Sequence, residues 1–208
     1  NNLLFEELNS AVQKRYPSLR YLSVARAGPW KLFTNQKLET FDDLKGLKIR
    51  APSIEGVIAG LEQVGAKPTV IPFNELYGAL QQGVVDGMAT LGNLMISQKF
   101  YEVVKHCYQN DWGIGLDKQM INMGTWDSLG EKNQKILTET FNELEPQDFF
   151  RATEEAEISN FKKWRELNGE DSTPLLDASA AQKTLAPAIK GLADDIFGAG
   201  TYDRIQSI

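Results

Sequence analysis

Apolar residues along this chain change their spacing several times, and each change marks an element. Leu3, Leu4, Leu8 and Val12 form a helical stripe over residues 3–15, which Pro17 closes. Leu19 to Val24 and residues 30–34 read as two strands, and residues 41–45 as a short helical turn. Leu47 and Ile49 then supply a short buried strand that ends at Arg50; Pro52 blocks its ladder and Ser53 is placed to cap a helix. That helix is predicted over 54–64 from Ile54, Val57, Ile58, Leu61 and Val64, with Gly65 as its stop. A β-branched strand over 68–72 leads to Phe73, and Asn74 is placed to cap a short helix carrying Leu76, Ala79 and Leu80. A strand over 84–89 and a helix over 93–104 follow. This strand–helix alternation predicts an α/β fold, with a parallel or mixed sheet and crossover helices.

Beyond residue 104 the grammar changes. Residues 105–125 hold strand-like pieces interrupted by Gly113 and Gly115. Residues 131–168 form one long helical pattern, which Pro146 is expected to kink and Gly169 to end. A last helical region over 178–197 contains Pro187.

Composition narrows the function. Among 208 residues, 42% are hydrophobic and 24% charged, as in ordinary globular domains. The net charge of −6 and the absence of a basic run argue against nucleic acid as a partner. No apolar run reaches the ~18 residues of a membrane span. The first residues lack a signal-peptide pattern, and a mature or truncated chain would look the same, so the compartment stays open. One cysteine, Cys107, and one histidine, His106, cannot build a disulfide or a structural zinc site; both read as structural, and no cofactor is expected.

Three strand ends carry the candidate chemistry. In a parallel arrangement Arg50, Phe73 and Thr90 share one sheet edge, where α/β ligands bind. A guanidinium, an aromatic face and a hydroxyl together suit a small organic anion. Taken singly, Arg50 reads equally as a surface arginine, Phe73 as core and Thr90 as a cap. Enzyme signatures are missing: there is no GxGxxG, P-loop, nucleophile elbow or HExxH, and Ser159-Asn-Phe-Lys162 falls within a helix pattern.

The ordered set Asp43-Leu-Lys-Gly-Leu-Lys-Ile-Arg50, Phe73-Asn-Glu-Leu-Tyr77, Gly83-Val-Val-Asp-Gly87, Lys99-Phe-Tyr-Glu-Val103 and Asn122-Met-Gly-Thr-Trp-Asp-Ser-Leu129 resembles the substrate-binding subunits of tripartite ATP-independent periplasmic (TRAP) transporters, of the DctP-like family. The resemblance runs from about residue 20 to the C-terminus. It implies a two-lobed periplasmic binding protein, not an enzyme, that closes on a small carboxylate and hands it to the membrane permease subunits of an ion-gradient-driven transporter. It implies that Arg50 pins the ligand carboxylate, Phe73 lines the pocket and Thr90 offers a polar contact. The implied division is residues 1–27 as a remnant of the first lobe and 28–115 as the ligand-anchoring second lobe. Residues 116–150 return to the first lobe, the long helix 131–168 braces both, and residues 169–208 close the chain.

Some positions depart from the family pattern. Where sialic-acid-type members carry a second arginine, this chain has Trp30, with Lys31 beside it. Met88-Ala-Thr90 replaces glutamate-bearing sequences, so a metal-assisted site is not expected. With Trp112 nearby, the expected cargo is a carboxylate with an apolar or aromatic body, and Met88, Trp30, Lys31 and Trp112 join the candidate contacts. The N-terminal part of the first lobe is expected to be absent, exposing apolar surface that favours self-association. The alternatives are a ligand-sensing domain of a signalling receptor and a small α/β enzyme acting on an organic acid.

Overall fold

The structure, a computed structural model, describes residues 10, 13–143 and 146–206. The helix expected over 3–15 therefore lies mostly outside the described residues; Ser10 and residues 13–15 are helical. Six strands form one mixed sheet in the order β3-β2-β4-β1-β5, with β6 also pairing β1. They are β1 (Leu19–Thr34), β2 (Lys48–Ala51), β3 (Lys67–Val70), β4 (Gly87–Leu91), β5 (His106–Cys107) and β6 (Gly113–Asn122). The helices are α1 (Glu55–Gln63), α2 (Phe73–Gln81), α3 (Leu94–Ser97), α4 (Met123–Ser128), α5 (Gly130–Glu143), α6 (Pro146–Asn168), α7 (Ser179–Phe197) and α8 (Thr201–Gln206).

β2 runs parallel to β3 and β4, as the alternation predicts. β1 differs from expectation: the two predicted strands are one of 16 residues. Gly28 and Pro29, which lie between the two predicted strands, both pair with β6. A register shift between Arg26 and Gly28, with Gly28 at φ 107°, absorbs the irregularity without ending the strand. β1 thus pairs with β6 over most of its length and with β4 and β5 at its end.

Helix starts were the least legible feature. α1 begins after Ile54, and no side chain caps it, so Ser53 is not its cap. α2 begins at Phe73 itself, after Pro72, and Asn74 lies inside it. Pro72 presets the entry backbone, and the helix needs no side-chain cap. The helical run expected over 131–168 is described as α5 and α6, on either side of residues 144–145; Pro146 opens α6, and Gly169 follows its last residue at φ 95°.

The pleat sorts two cores. Leu32, Ile49, Ala51 and Ala89 face one cluster with Leu61, Tyr108 and Ala181, under α1 and α7. Phe33 and Met88 face the other, with Leu76 and Leu80 of α2, Met95 of α3, and Phe161 and Trp164 of α6. Phe33 and Trp164 rings meet at 5.5 Å. Cys107 is fully buried here, and burial pushes its thiol pKa well up, as befits a structural residue. On the far edge, β6 leaves Ile114, Leu116 and Met120 exposed.

The Val-Asp-Gly stretch owes its place to packing. The Asp86 carboxylate accepts the Lys48 N–H at 2.8 Å, tying the start of β2 to β4. Gly87 crosses β1 so closely that a Cβ there would run into the carbonyl oxygen of Phe33. Gly87→Ala is therefore expected to cost about 2–3 kcal/mol, read as a lower urea midpoint; an unchanged midpoint rejects this account.

Asp43 anchors the turn before β2. Its carboxylate accepts the Thr40 and Glu39 N–H groups at 2.9 and 2.8 Å, which holds its pKa below the usual aspartate value. Its stabilising contribution is complete above the ordinary aspartate pKa and is lost as pH falls through the lowered one. Asp43→Asn is expected to flatten the acid limb of thermal stability between about pH 5 and pH 2, and an identical limb in the variant argues against it.

Candidate functional site

Among the described residues, two cations are buried in the body of the protein: Lys31 and Arg50, at 2% and 3% exposure. They sit on the same face of the sheet, on β1 and β2, and they are treated in opposite ways.

Lys31 is closed. An ammonium has three donors. Its Nζ donates to Gln109 O at 2.8 Å, pairs with Asp111 at 2.6 Å and with Glu157 at 2.7 Å. The Phe161 ring adds a cation–π contact at 5.2 Å. No donor is left for a ligand, so the expectation that Lys31 contacts cargo is corrected: it ties β1 to α6 and to the loop before β6. Its partners Asp111 and Glu157 escape sequence reasoning because no local spacing links residues so far apart.

Arg50 is open. In register it faces Thr69 of β3 and Met88 of β4. Its Nε donates to Ile71 O at 2.9 Å, and its Nη1 approaches Ala89 O at 3.4 Å. Both carbonyls lie beyond its own level, so the guanidinium leans over the carboxyl ends of β3 and β4. It makes no ion pair, and its Nη2 no hydrogen bond, with a described residue. Burial lowers its pKa from the ordinary arginine value, but the group stays charged. A buried cation whose described partners are carbonyl dipoles costs several kcal/mol of desolvation that those dipoles offset only in part.

The other candidates scatter around this edge. Thr90 follows Ala89, is 2% exposed, and its hydroxyl has no hydrogen-bond partner among the described residues. Phe73 is not the end of a strand but the first residue of α2; its ring is 43% exposed and stands edge-on to Phe100 at 6.3 Å. Met88 is fully buried in the second core, so its expected ligand contact is corrected: the pleat turns it inward between Phe33 and Leu76. Trp30 and Trp112 are half-buried and line a common cavity of about 480 Å³ with Ile54, Val57 and Leu91. Arg50, Phe73 and Thr90 are not among its walls. A second cavity of about 500 Å³ lies by Gly28 and Phe161, and its carboxylates Asp111, Glu154 and Glu157 outnumber Arg165, the wrong balance for an anion.

The sequence matches the family model for bacterial extracellular solute-binding protein, family 7, over residues 2–194. The chain belongs to this family. A C4-dicarboxylate-binding periplasmic protein of Rhodobacter capsulatus is 29% identical over 180 residues, covering 83% of this chain and 52% of that protein. A sialic acid-binding periplasmic protein of Vibrio cholerae is 29% identical over 136 residues, covering 65% of this chain and 42% of that protein. The chain thus spans about half the length of these family 7 relatives. The crystal structure of a TRAP periplasmic solute-binding protein from Desulfovibrio salexigens, with bound orotic acid, superposes with a TM-score of 0.85 at 28% identity, covering 97% of this chain and 64% of that one. The α/β architecture, incomplete beside its longer relatives, is therefore that of the TRAP solute-binding proteins.

Lys31 and its acids give a direct test. Lys31→Met is expected to cost about 3–5 kcal/mol, because it leaves Glu157 facing an apolar wall. The double substitution Lys31→Met with Glu157→Leu is expected to recover part of that loss in urea unfolding. Strict additivity of the two single effects rejects the coupling.

Proposed function

We propose that this chain is the ligand-anchoring part of a periplasmic solute-binding protein that captures a small organic acid. It would deliver that acid to the membrane permease subunits of an ion-gradient-driven TRAP transporter. The carrying observation is Arg50, a buried guanidinium at the carboxyl edge of parallel strands with no counter-ion among the described residues. A ligand carboxylate supplies the missing charge and meets the free Nη2 donor. Thr90, on the same edge with a hydroxyl that has no hydrogen-bond partner among the described residues, is the second polar contact, and the exposed Phe73 ring covers one side of the ligand. The names of the relatives support the class: both are periplasmic binders of carboxylates, and the orotate bound to the Desulfovibrio protein is one as well.

In this reading residues 28–115 form the ligand-anchoring lobe. Its boundary with residues 1–27 falls at the register shift in β1. Residues 116–150 return to the first lobe, and 131–168 brace the two. No residue is assigned a catalytic role: a binding protein needs a closed cleft and a fixed counter-charge, not a nucleophile or a general base.

Titration calorimetry of the full-length protein against small carboxylates tests the anchor. Arg50→Ala is expected to weaken binding by about 2–5 kcal/mol. Arg50→Lys is expected to recover only part, since a point charge cannot reproduce the guanidinium fork. Equal affinity in the parent and Arg50→Ala rejects the proposal.

A further inference from the structure

The strand that carries Thr90 outruns its neighbour. The register of β2 with β4 covers Ile49↔Gly87 and Arg50↔Met88. Beyond Met88, β4 continues through Ala89, Thr90 and Leu91 without a partner on β2. The spacing between Arg50 and Thr90 is therefore set by what holds the end of β4 from its other side. β1 does so through its ladder, with Lys31 opposite Thr90 and Trp30 opposite Leu91. By the pleat, Arg50, Met88, Thr90 and Lys31 share one face, and α6 packs on that face.

α6 grips that end along one stripe. Glu157, Asn160, Phe161 and Trp164 recur at the spacing of a single helix face. Trp164 meets Phe33, whose ladder partner is Met88. Glu157 and Phe161 hold the Lys31 ammonium. The stem of Lys31 lies over Gly92, where a Cβ would stand 3.0 Å from the Lys31 Cγ. Asn160 holds the strand's exit: its Nδ2 donates to the Asn93 carbonyl oxygen at 3.1 Å.

Asn93 is committed to the same joint. It precedes α3 and is a good cap by type, yet its side chain does not cap that helix. Its Nδ2 donates instead to Ala27 O at 3.1 Å, beside the Gly92 N–H, which donates to Pro29 O at 3.0 Å. Its Oδ1 is buried with no hydrogen-bond partner among the described residues. The asparagine thus forgoes a cap and leaves an acceptor unpaired while it ties the exit of β4 to β1, and Asn160 closes the joint from α6.

We propose that Asn160 is a positioning residue for the anion edge: through Asn93 it fixes the end of β4, and with it the distance from the Thr90 hydroxyl to the Arg50 guanidinium. The inference rests on the carboxylate-binding reading of Arg50 and Thr90. Asn160 acts through the strand rather than on the ligand. Ala89, whose carbonyl oxygen stands 3.4 Å from Arg50 Nη1, and Thr90 both lie just before the Asn93 joint, so slack there moves both. A shift of about 1 Å at such an edge is enough to lose one of two hydrogen bonds to a bound carboxylate.

The test is titration calorimetry on the full-length protein with succinate, 2-oxobutyrate and orotate as probes, and thermal unfolding to confirm that each variant is folded. Thr90→Val is expected to weaken the acids that bind by about tenfold in the parent protein. Asn160→Leu is expected to weaken them by a similar factor. The deciding readout is the double-mutant cycle. In the Asn160→Leu background, Thr90→Val is expected to cost nothing further, since the hydroxyl is already out of place. A general loosening of the fold would leave the Thr90→Val effect intact. Should Asn160→Leu not fold, Asn160→Ser, too short to reach the Asn93 carbonyl, carries the same cycle. Additive effects of the two substitutions, or unchanged affinity in the Asn160 variant, reduce Asn160 to a structural contact and overturn the proposal. Unchanged affinity in Thr90→Val overturns it too, and leaves the Arg50 anchor standing where Arg50→Ala still weakens binding. Absence of binding by every acid, or affinities indifferent to Arg50→Ala, removes the anchor and this inference with it.

Discussion

A cation taken out of water must find a counter-charge, and the arrangement of this protein follows from where that rule is met and where it is not. At Lys31 it is met twice over, by Asp111 and Glu157, with Gln109 O as a third, neutral acceptor. Through that one ammonium, β1, the loop before β6 and α6 are fixed relative to each other. The loop so fixed carries Trp112, whose backbone N–H donates to Trp30 O, so the two tryptophans that share a cavity are tied together beside that ion cluster. At Arg50 no described residue meets it, and the deficit lies at the edge where parallel strands commonly offer a ligand site.

The two cations also show why a family motif need not be a functional one at every letter. Within the stretch from Asp43 to Arg50, Asp43 holds a turn through backbone N–H groups and Leu47 and Ile49 serve the core, while Arg50 leans over the carboxyl ends of β3 and β4. In Val-Asp-Gly, Asp86 ties β2 to β4 and Gly87 permits the close crossing of β1. Tyr77 and Glu102, from two further motifs, hydrogen-bond to each other at 2.6 Å on the surface. Most of the motif series is thus a recipe for placing a few residues at one edge.

Much of this was legible from residue order. The alternation of β-branched runs and helical stripes gave the β2-α1-β3-α2-β4 sequence, because burial on one face imposes a period that survives tertiary packing. Two misreadings share one cause. Two strands are expected over 19–24 and 30–34, yet β6 supplies a pairing partner across the gap and the strand is one. Ser53 and Asn74 are good caps by type, yet Ile54 and Pro72 precede the first helical residues, since strand ends and core contacts set where the chain turns. In both cases a weak local preference yields to a larger non-local term.

The site divides the same way. Sequence alone placed Arg50 at the carboxyl end of a parallel strand, one residue short of its last, ahead of a helix, and the motif order pointed to the family, since both depend on spacing along the chain. It also offered Lys31, Met88, Trp30 and Trp112 as equals, because side-chain chemistry is all a letter conveys. Only the tertiary structure separated them. It gave Lys31 two distant carboxylates, turned Met88 into the core, and set Trp30 beside Trp112 in one cavity. Those outcomes depend on partners many residues away, and the free energy of a buried charge or an exposed ring is decided by what surrounds it.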